Sequence, residues 1–137
     1  MTAIQNALRS LLVAVAGLVV MGAAAAAELE TRTSSAAGVT VKVTPKDVAP
    51  GAATWAFAVV LDTHSKDLSD DLVKSSLLID AQGVRYPPLA WEGAPPGGHH
   101  REGLLRFKGL GPAPGAFELQ VRRPGENVPR SFRWTLK

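Results

Sequence analysis

From Val39 onwards, hydrophobic and polar residues alternate in short runs that proline and glycine separate. In residues 39–44, valine alternates with threonine and lysine, and this period of two predicts a half-buried strand. Residues 55–61 are apolar at nearly every position, which predicts a strand buried on both faces at the centre of a sheet. Alternation returns in the last third of the chain, in residues 104–107, 117–121 and 132–136.

The middle of the chain predicts shorter elements. Residues 62–75 predict an irregular loop with at most one turn of helix, which Ser69 is positioned to cap. Short apolar runs follow at 76–80, 84–86 and 89–91. Because Pro87 and Pro88 cannot donate to a strand ladder, they indicate a sheet edge or a kinked crossing.

Together these runs predict the fold class. About seven short strands, with turn signals roughly every 8–12 residues, are typical of an all-β, immunoglobulin-like antiparallel β-sandwich. We expect this domain to occupy residues 39–137.

The N-terminus has the pattern of a secretory signal peptide. Arg9 precedes an apolar run, and small residues dominate 22–27, where cleavage is expected. Residues 1–27 are therefore predicted to be a signal peptide, with a membrane anchor as the alternative. Residues 28–38 lack periodicity and predict a flexible mature N-terminus. The expected location is the periplasm or the outside of the cell.

Composition excludes some classes of function. The 137-residue chain has no cysteine, which excludes disulfides, thiolate metal sites and a cysteine-linked lipid anchor. Its formal net charge is only +3, which argues against nucleic acid as a partner. Contact with a membrane is expected only through the signal peptide before cleavage.

The histidines are predicted to meet at one end of the sandwich. If every connection reverses the chain, the loop after residue 61, the loop 92–100 and the loop 124–129 all lie at the same end. That arrangement would bring together the histidine loops and several charged residues, namely His64, His99, His100, Asp67, Asp70, Arg122, Arg123 and Arg130.

Imidazole and carboxylate groups suit Cu²⁺ or Zn²⁺. Because the side chains of His99 and His100 point to opposite faces of an extended chain, His64 is expected to meet only one of them, with Asp62 and Asp67 nearby. The alternative is structural, with the histidines holding their own loops. A Ca²⁺ site on the aspartates of residues 67–71 is a further alternative, although the EF-hand spacing is absent.

Other residues suggest a partner. Trp91 lies next to the histidine loop, and Arg122, Arg123 and Arg130 could bind an anion or an acidic partner. The alternative for these arginines is a solvated basic strand end. The sequence contains no nucleophile elbow, so we do not expect an enzyme.

Three segments resemble a known family. Residues 78–86 carry a strand, an Asp…Gly turn and Tyr86, residues 103–107 read Gly-x-Leu-x-Phe, and residues 117–121 alternate. These features resemble the telokin-like immunoglobulin-fold domains of uncharacterised secreted bacterial proteins, and the resemblance implies a fold rather than an activity. The histidine-bearing end is similar to periplasmic copper-resistance β-sandwiches, which bind Cu²⁺ through histidines at one end.

The sequence therefore predicts an exported, soluble binding or accessory domain of the bacterial envelope without catalysis of its own. The identity of its envelope or protein partner is not encoded in any motif. The alternative is a periplasmic Cu²⁺/Zn²⁺-binding accessory protein that uses His64 with His99 or His100.

Overall fold

A computed structural model of the chain describes residues 29–111 and 114–136. The predicted signal peptide lies outside these residues. Nine strands and one helical turn form the described part: β1 Arg32–Ala36, β2 Val39–Asp47, β3 Thr54–Thr63, α1 Leu72–Ser75, β4 Ser76–Ile79, β5 Arg85–Tyr86, β6 Ala90–Gly93, β7 His100–Lys108, β8 Ala116–Val121 and β9 Arg130–Thr135. Within the described ranges, no helix is long and apolar enough to cross a membrane.

The strands form two antiparallel sheets. The larger sheet has the order β1-β2-β3-β7-β6 and the smaller sheet has the order β5-β4-β8-β9. Strand β3 lies at the centre of the larger sheet, as its apolar residues on both faces predicted. The predicted all-β antiparallel sandwich is confirmed.

Aromatic rings from both sheets form the centre of the core. The ring of Trp55 in β3 packs edge-on against Phe117 in β8, with ring centroids 5.0 Å apart, and Phe57 packs against Trp134 of β9. These four side chains are at most 3% exposed. Because burial of one large apolar side chain contributes about 1.5–3 kcal/mol, such contacts replace the missing disulfides as the main source of stability.

The structure differs from the sequence prediction at the N-terminus. Residues 28–38 were predicted to be flexible, but Arg32–Ala36 form β1, which pairs along its whole length with β2. Nearly all its side chains are exposed, so the strand has no hydrophobic periodicity to reveal it. Backbone pairing and the side chain of Arg130 hold it instead.

Two further differences concern the middle of the chain. The structure has nine strands instead of about seven, partly because residues 85–93 contribute one short strand to each sheet. Pro87 and Pro88 lie between these two edge strands, so the predicted edge crossing is confirmed. The predicted single helical turn is α1, but Asp71 caps it through a hydrogen bond from the backbone of Lys74, in place of Ser69.

Candidate functional site

Loops from both sheets meet at the end of the sandwich where β3 stops and β7 starts. Asp62 lies directly opposite His100 in the ladder between these strands. The backbone of Leu68 exchanges hydrogen bonds with Gly97 and Gly98, which joins the loop after β3 to the loop before β7. The antiparallel pairing of β7 with β3 brings Asp62 and His100 together. Because four connections separate these two strands, not every connection reverses the chain.

His100 lies between two carboxylates. Its Nδ1 is 2.5 Å from Oδ1 of Asp62, and its Nε2 is 3.4 Å from Oε2 of Glu102. The hydrogen bond to Asp62, followed by the charges of Asp62 and Glu102, raises the pKa of His100 above its ordinary value of 6.5. Sequence reasoning missed Glu102, although its position two residues after His100 in β7 places it on the same strand face.

The other predicted ligands do not join this cluster. His64, Asp67 and His99 are exposed, and His99 contributes only its backbone carbonyl, which accepts a hydrogen bond from the backbone N–H of Thr63. In residues 29–111 and 114–136, no group of three histidine or acidic side chains could hold a metal ion. The described residues therefore do not assemble the predicted Cu²⁺/Zn²⁺ set, since the ring of His100 meets Asp62 and Glu102 but neither His64 nor Asp67.

Buried arginines hold the loops at this end. Arg101, which is 1% exposed, donates to the carbonyl oxygens of Leu68, Asp70 and Ala94. Arg123 forms two hydrogen bonds of 2.9 Å with the fully buried carboxylate of Asp70. These side chains satisfy polar groups that the loops would otherwise bury without partners.

Arg130 joins the two sheets in a similar way. Its guanidinium group binds the carboxylate of Glu126 and donates to the carbonyls of Ser34, Ala36 and Val39. The hydrogen bonds from Arg130 are the largest cause that lowers the pKa of Glu126 below its ordinary value of 4.5. Arg130 therefore fastens β1 to the rest of the domain.

This burial changes the interpretation of the arginines. Sequence analysis assigned Arg122, Arg123 and Arg130 to a partner. Arg123 and Arg130 are each only 6% exposed, and their guanidinium groups are engaged within the chain. Of these three arginines, only Arg122 is exposed, so its guanidinium group is the one that solvent can reach.

Trp91 is half-buried. Its Nε1 donates to the carbonyl of Ala94, and the guanidinium carbon of Arg101 lies 5.7 Å from its ring centroid. The ring also covers a cross-strand glycine pair, Gly93 and Gly103, where an added methyl group would lie within 3 Å of Trp91. Trp91 thus fills the space left by two missing side chains, which accounts for its partial burial.

An open groove of about 780 Å³ lies on the smaller sheet at the same end of the sandwich. We call it the basic groove, because exposed cations exceed free carboxylates along its walls. It is lined by Asp71, Lys74, Ser75, Leu77, Arg85, Gln120, Arg122, Arg123, Pro124, Gly125, Glu126 and Pro129.

The acidic residues of the basic groove have partners within the chain, whereas two of its arginines do not. Of its acidic residues, Glu126 is bound to Arg130, and Asp71 caps α1 and lies 3.9 Å from Nζ of Lys74. Within the described ranges, Arg85 and Arg122 form no salt bridge, and Arg122 makes only a long hydrogen bond to the carbonyl of Asn127. The groove therefore presents two guanidinium groups to solvent without bound carboxylates.

A second hollow on the same sheet contains an arginine that is paired with a carboxylate. It measures about 500 Å³ and lies towards the opposite end, beside Arg133 and Trp134. Nε of Arg133 is 3.0 Å from a carboxylate oxygen of Glu118, so this arginine is paired. Its charge is compensated locally, unlike that of Arg85 or Arg122.

Comparison with known proteins gives one match. No protein-family model matches the chain, and no curated protein does. Among solved structures, it is similar to the crystal structure of a DUF4426 family protein (PA0388) from Pseudomonas aeruginosa PAO1, with 14% sequence identity and a TM-score of 0.45. The match covers 75% of this chain and 92% of that chain.

Proposed function

We propose that the mature chain is an exported, non-catalytic binding domain of the bacterial envelope that holds an anionic partner in the basic groove. The observation that carries the proposal is the pair of exposed, unpaired guanidinium groups of Arg85 and Arg122 in a groove of about 780 Å³. Guanidinium groups bind carboxylates and phosphates through paired hydrogen bonds, and the groove offers both of them to one ligand.

The chemistry at the histidine end supports binding rather than catalysis. A general base needs a nucleophile or an acidic substrate proton within hydrogen-bond reach. Both ring nitrogens of His100 face carboxylates instead. The buried arginines beside it bind backbone carbonyls and Asp70, and so are used for structure.

Several features of the sequence support export. Residues 1–27 have the pattern of a signal peptide, and the segments that resemble telokin-like domains are typical of secreted bacterial proteins. The chain has no cysteine, so its stability does not depend on the redox state of the compartment and is compatible with export.

Binding of fluorescein-labelled poly-L-glutamate at low ionic strength tests the proposal. We expect saturable binding, measured by fluorescence anisotropy, that weakens with added salt because exposed charges are screened. The double variant Arg85→Glu/Arg122→Glu should weaken the affinity at least about tenfold, which corresponds to about 1.4 kcal/mol.

The matched control is Lys42→Glu/Lys108→Glu, which makes the same change in net charge at exposed positions of the larger sheet. We expect its affinity to stay within about twofold of the wild type. Equal losses in both variants would show that poly-L-glutamate responds only to total charge, and the groove would not be the binding site.

A further inference from the structure

We infer that the occupant of the basic groove is an extended acidic polypeptide segment with two carboxylate side chains four residues apart and an apolar side chain between them. This inference rests on the proposed function, because it names the class of partner for the same groove. It follows from the register of the strands that form the groove floor.

The strand ladder places the two unpaired arginines at different levels along β4. Arg85 lies opposite Ile79 in the pairing of β4 with β5. The backbone N–H of Arg122 donates to the carbonyl of Ser75, so Arg122 lies at the level of Ser75. Four residue steps, from Ser75 at the end of α1 to Ile79 at the end of β4, separate these levels. They correspond to about 13 Å at a rise of roughly 3.3 Å per residue.

The arginines also lie on different strands. Strand β5 is on one side of β4 and β8 is on the other, so Arg85 and the chain at Arg122 are separated by about two strand spacings, or roughly 10 Å. Their backbones are therefore roughly 16 Å apart along a diagonal of the sheet. Both side chains are exposed.

A small anion fits this arrangement poorly. A single phosphate or carboxylate binds best where several donors converge within hydrogen-bond distance of it. Here each of the two arginines would have to stretch towards the middle of the groove to reach the same anion. Separate carboxylates, one near each arginine, match the spacing without that requirement.

The middle of the groove is suited to an apolar side chain. Leu77 lies between the levels of Ser75 and Ile79, is half-buried, and faces Gln120 across the ladder. In an extended peptide, side chains at i, i+2 and i+4 point to the same side and span about 13 Å. A segment of the form acidic-x-apolar-x-acidic that lies along the diagonal spans about 13 Å of the roughly 16 Å between the two arginine backbones. The long arginine side chains cover the remainder, and the apolar side chain of the segment then lies at Leu77.

Lys74 adds a third cation at the Arg122 end of the groove. It lines the groove next to Ser75, and its side chain is 85% exposed. Its partner Asp71 is 3.9 Å away and half-exposed, a separation at which surface pairs contribute little. Asp71 lines the same end and offsets the charge of Lys74, so each end of the groove keeps one uncompensated cation, Arg85 at one end and Arg122 at the other.

Peptides of identical composition but different spacing test this inference. The first probe is the fluorescein-labelled peptide Glu-Ser-Leu-Ser-Glu, and the second is its isomer Glu-Glu-Ser-Leu-Ser, in which the carboxylates are adjacent. We expect the spaced peptide to bind at least about fivefold more tightly than the isomer, measured by fluorescence anisotropy. A third peptide, Lys-Ser-Leu-Ser-Lys, should not bind.

Single substitutions then test whether each arginine binds one end of the spaced peptide. Arg85→Gln and Arg122→Gln should each reduce affinity for the spaced peptide by at least about threefold and abolish its advantage over the isomer. Replacement of the leucine in the spaced peptide by alanine should weaken its affinity for the wild type. This loss of affinity should be smaller for Leu77→Ser. Lys42→Gln is the matched control, and circular dichroism verifies that each variant keeps its fold.

Competition distinguishes other occupants. Equal affinity for the two isomers, with loss of both in Arg85→Glu/Arg122→Glu, would overturn the spacing argument and leave the proposed function standing. Full displacement of the peptide by millimolar inorganic phosphate, or tighter binding to vesicles of phosphatidylglycerol than to the peptide, would overturn the polypeptide as occupant. Failure of poly-L-glutamate, peptides, phosphate and vesicles to bind would overturn the proposed function itself.

Discussion

His100 shows how a single residue can acquire a new property from its strand partner. The imidazole lies opposite Asp62 in the ladder and shares a strand face with Glu102. Both carboxylates favour its protonated form. The cluster is half-exposed, so we expect it to tune the stability of the loop end rather than to determine whether the domain folds.

We predict a pKa for His100 above 6.5 and a matching dependence of stability on pH. Because the pKa is raised in the folded state, the stabilisation is fully present below the unfolded value near 6.5. It is lost as the pH rises through the folded value. Nuclear magnetic resonance titration of the ring protons measures the pKa, and urea denaturation at pH values on both sides of it measures the stability.

The variants for this test separate the two carboxylates. Asp62→Asn should lower the pKa of His100 more than Glu102→Gln does, since the hydrogen bond to Asp62 is the largest cause of the shift. In His100→Gln, the fall in stability across this pH range should disappear. A pKa at or below 6.5 in the wild type would contradict the prediction.

At the scale of elements, a buried ion pair holds the loop between β3 and β4 in addition to the hydrogen bonds that the loop makes with Gly97, Gly98 and Arg101. Asp70 in this loop is fully buried, and Arg123 reaches it from the end of β8. Two buried charges are costly to remove from water, and the pair is tolerated because both hydrogen bonds are well made. The ion pair thus links the loop that connects the two sheets to the segment that follows β8.

We predict that Asp70→Asn or Arg123→Met alone lowers the free energy of unfolding by about 3 kcal/mol or more, because each leaves one charge buried without its partner. The double variant should lose much less than the sum of the two single losses. Urea denaturation of all four proteins gives this coupling energy.

The control for this cycle is Arg133→Met. Arg133 pairs with Glu118, but its side chain is 77% exposed, so its loss should cost less than about 1 kcal/mol. Additive losses in Asp70→Asn and Arg123→Met would show that the ion pair does not hold the loop.

At the scale of the whole molecule, β1 closes one side of the sandwich. It is an edge strand of the larger sheet, and it lies beside β9, the edge strand of the smaller sheet. Arg32 donates to the carbonyl of Arg133, and Trp134 donates to the carbonyl of Glu30. Side chains thus join two sheet edges that do not pair through their backbones.

We predict that a chain beginning at Val39 is less stable than one beginning at Leu29. The loss should be on the order of 2–4 kcal/mol, since the backbone pairing with β2 and two of the carbonyl acceptors of Arg130 disappear. Thermal and urea denaturation measure this difference. Equal stability of the two chains would mean that β1 contributes nothing to the closure.

Sequence and structure agree best where burial is periodic. The alternation in β2, β8 and β9 and the apolar run of β3 predicted their positions, because a period of two places every second side chain in the core. The same principle could not detect β1, whose side chains are exposed. It also gave no signal for Arg101, since an arginine within an alternating strand is expected to face solvent.

The sequence by itself determined the all-β class, the central strand, the crossing at Pro87 and Pro88, and the end of the sandwich where the histidine loops meet. These follow from local rules of periodicity and turns, combined with reversal of direction between successive predicted strands, in which residues 84–91 count as one crossing. Only the tertiary structure decided which polar residues are buried, that His100 pairs with Asp62 and Glu102, and that Arg85 and Arg122 remain unpaired. Those outcomes depend on distances between segments that are far apart in the chain, and such distances exist only once the strands have paired and the loops have packed against them.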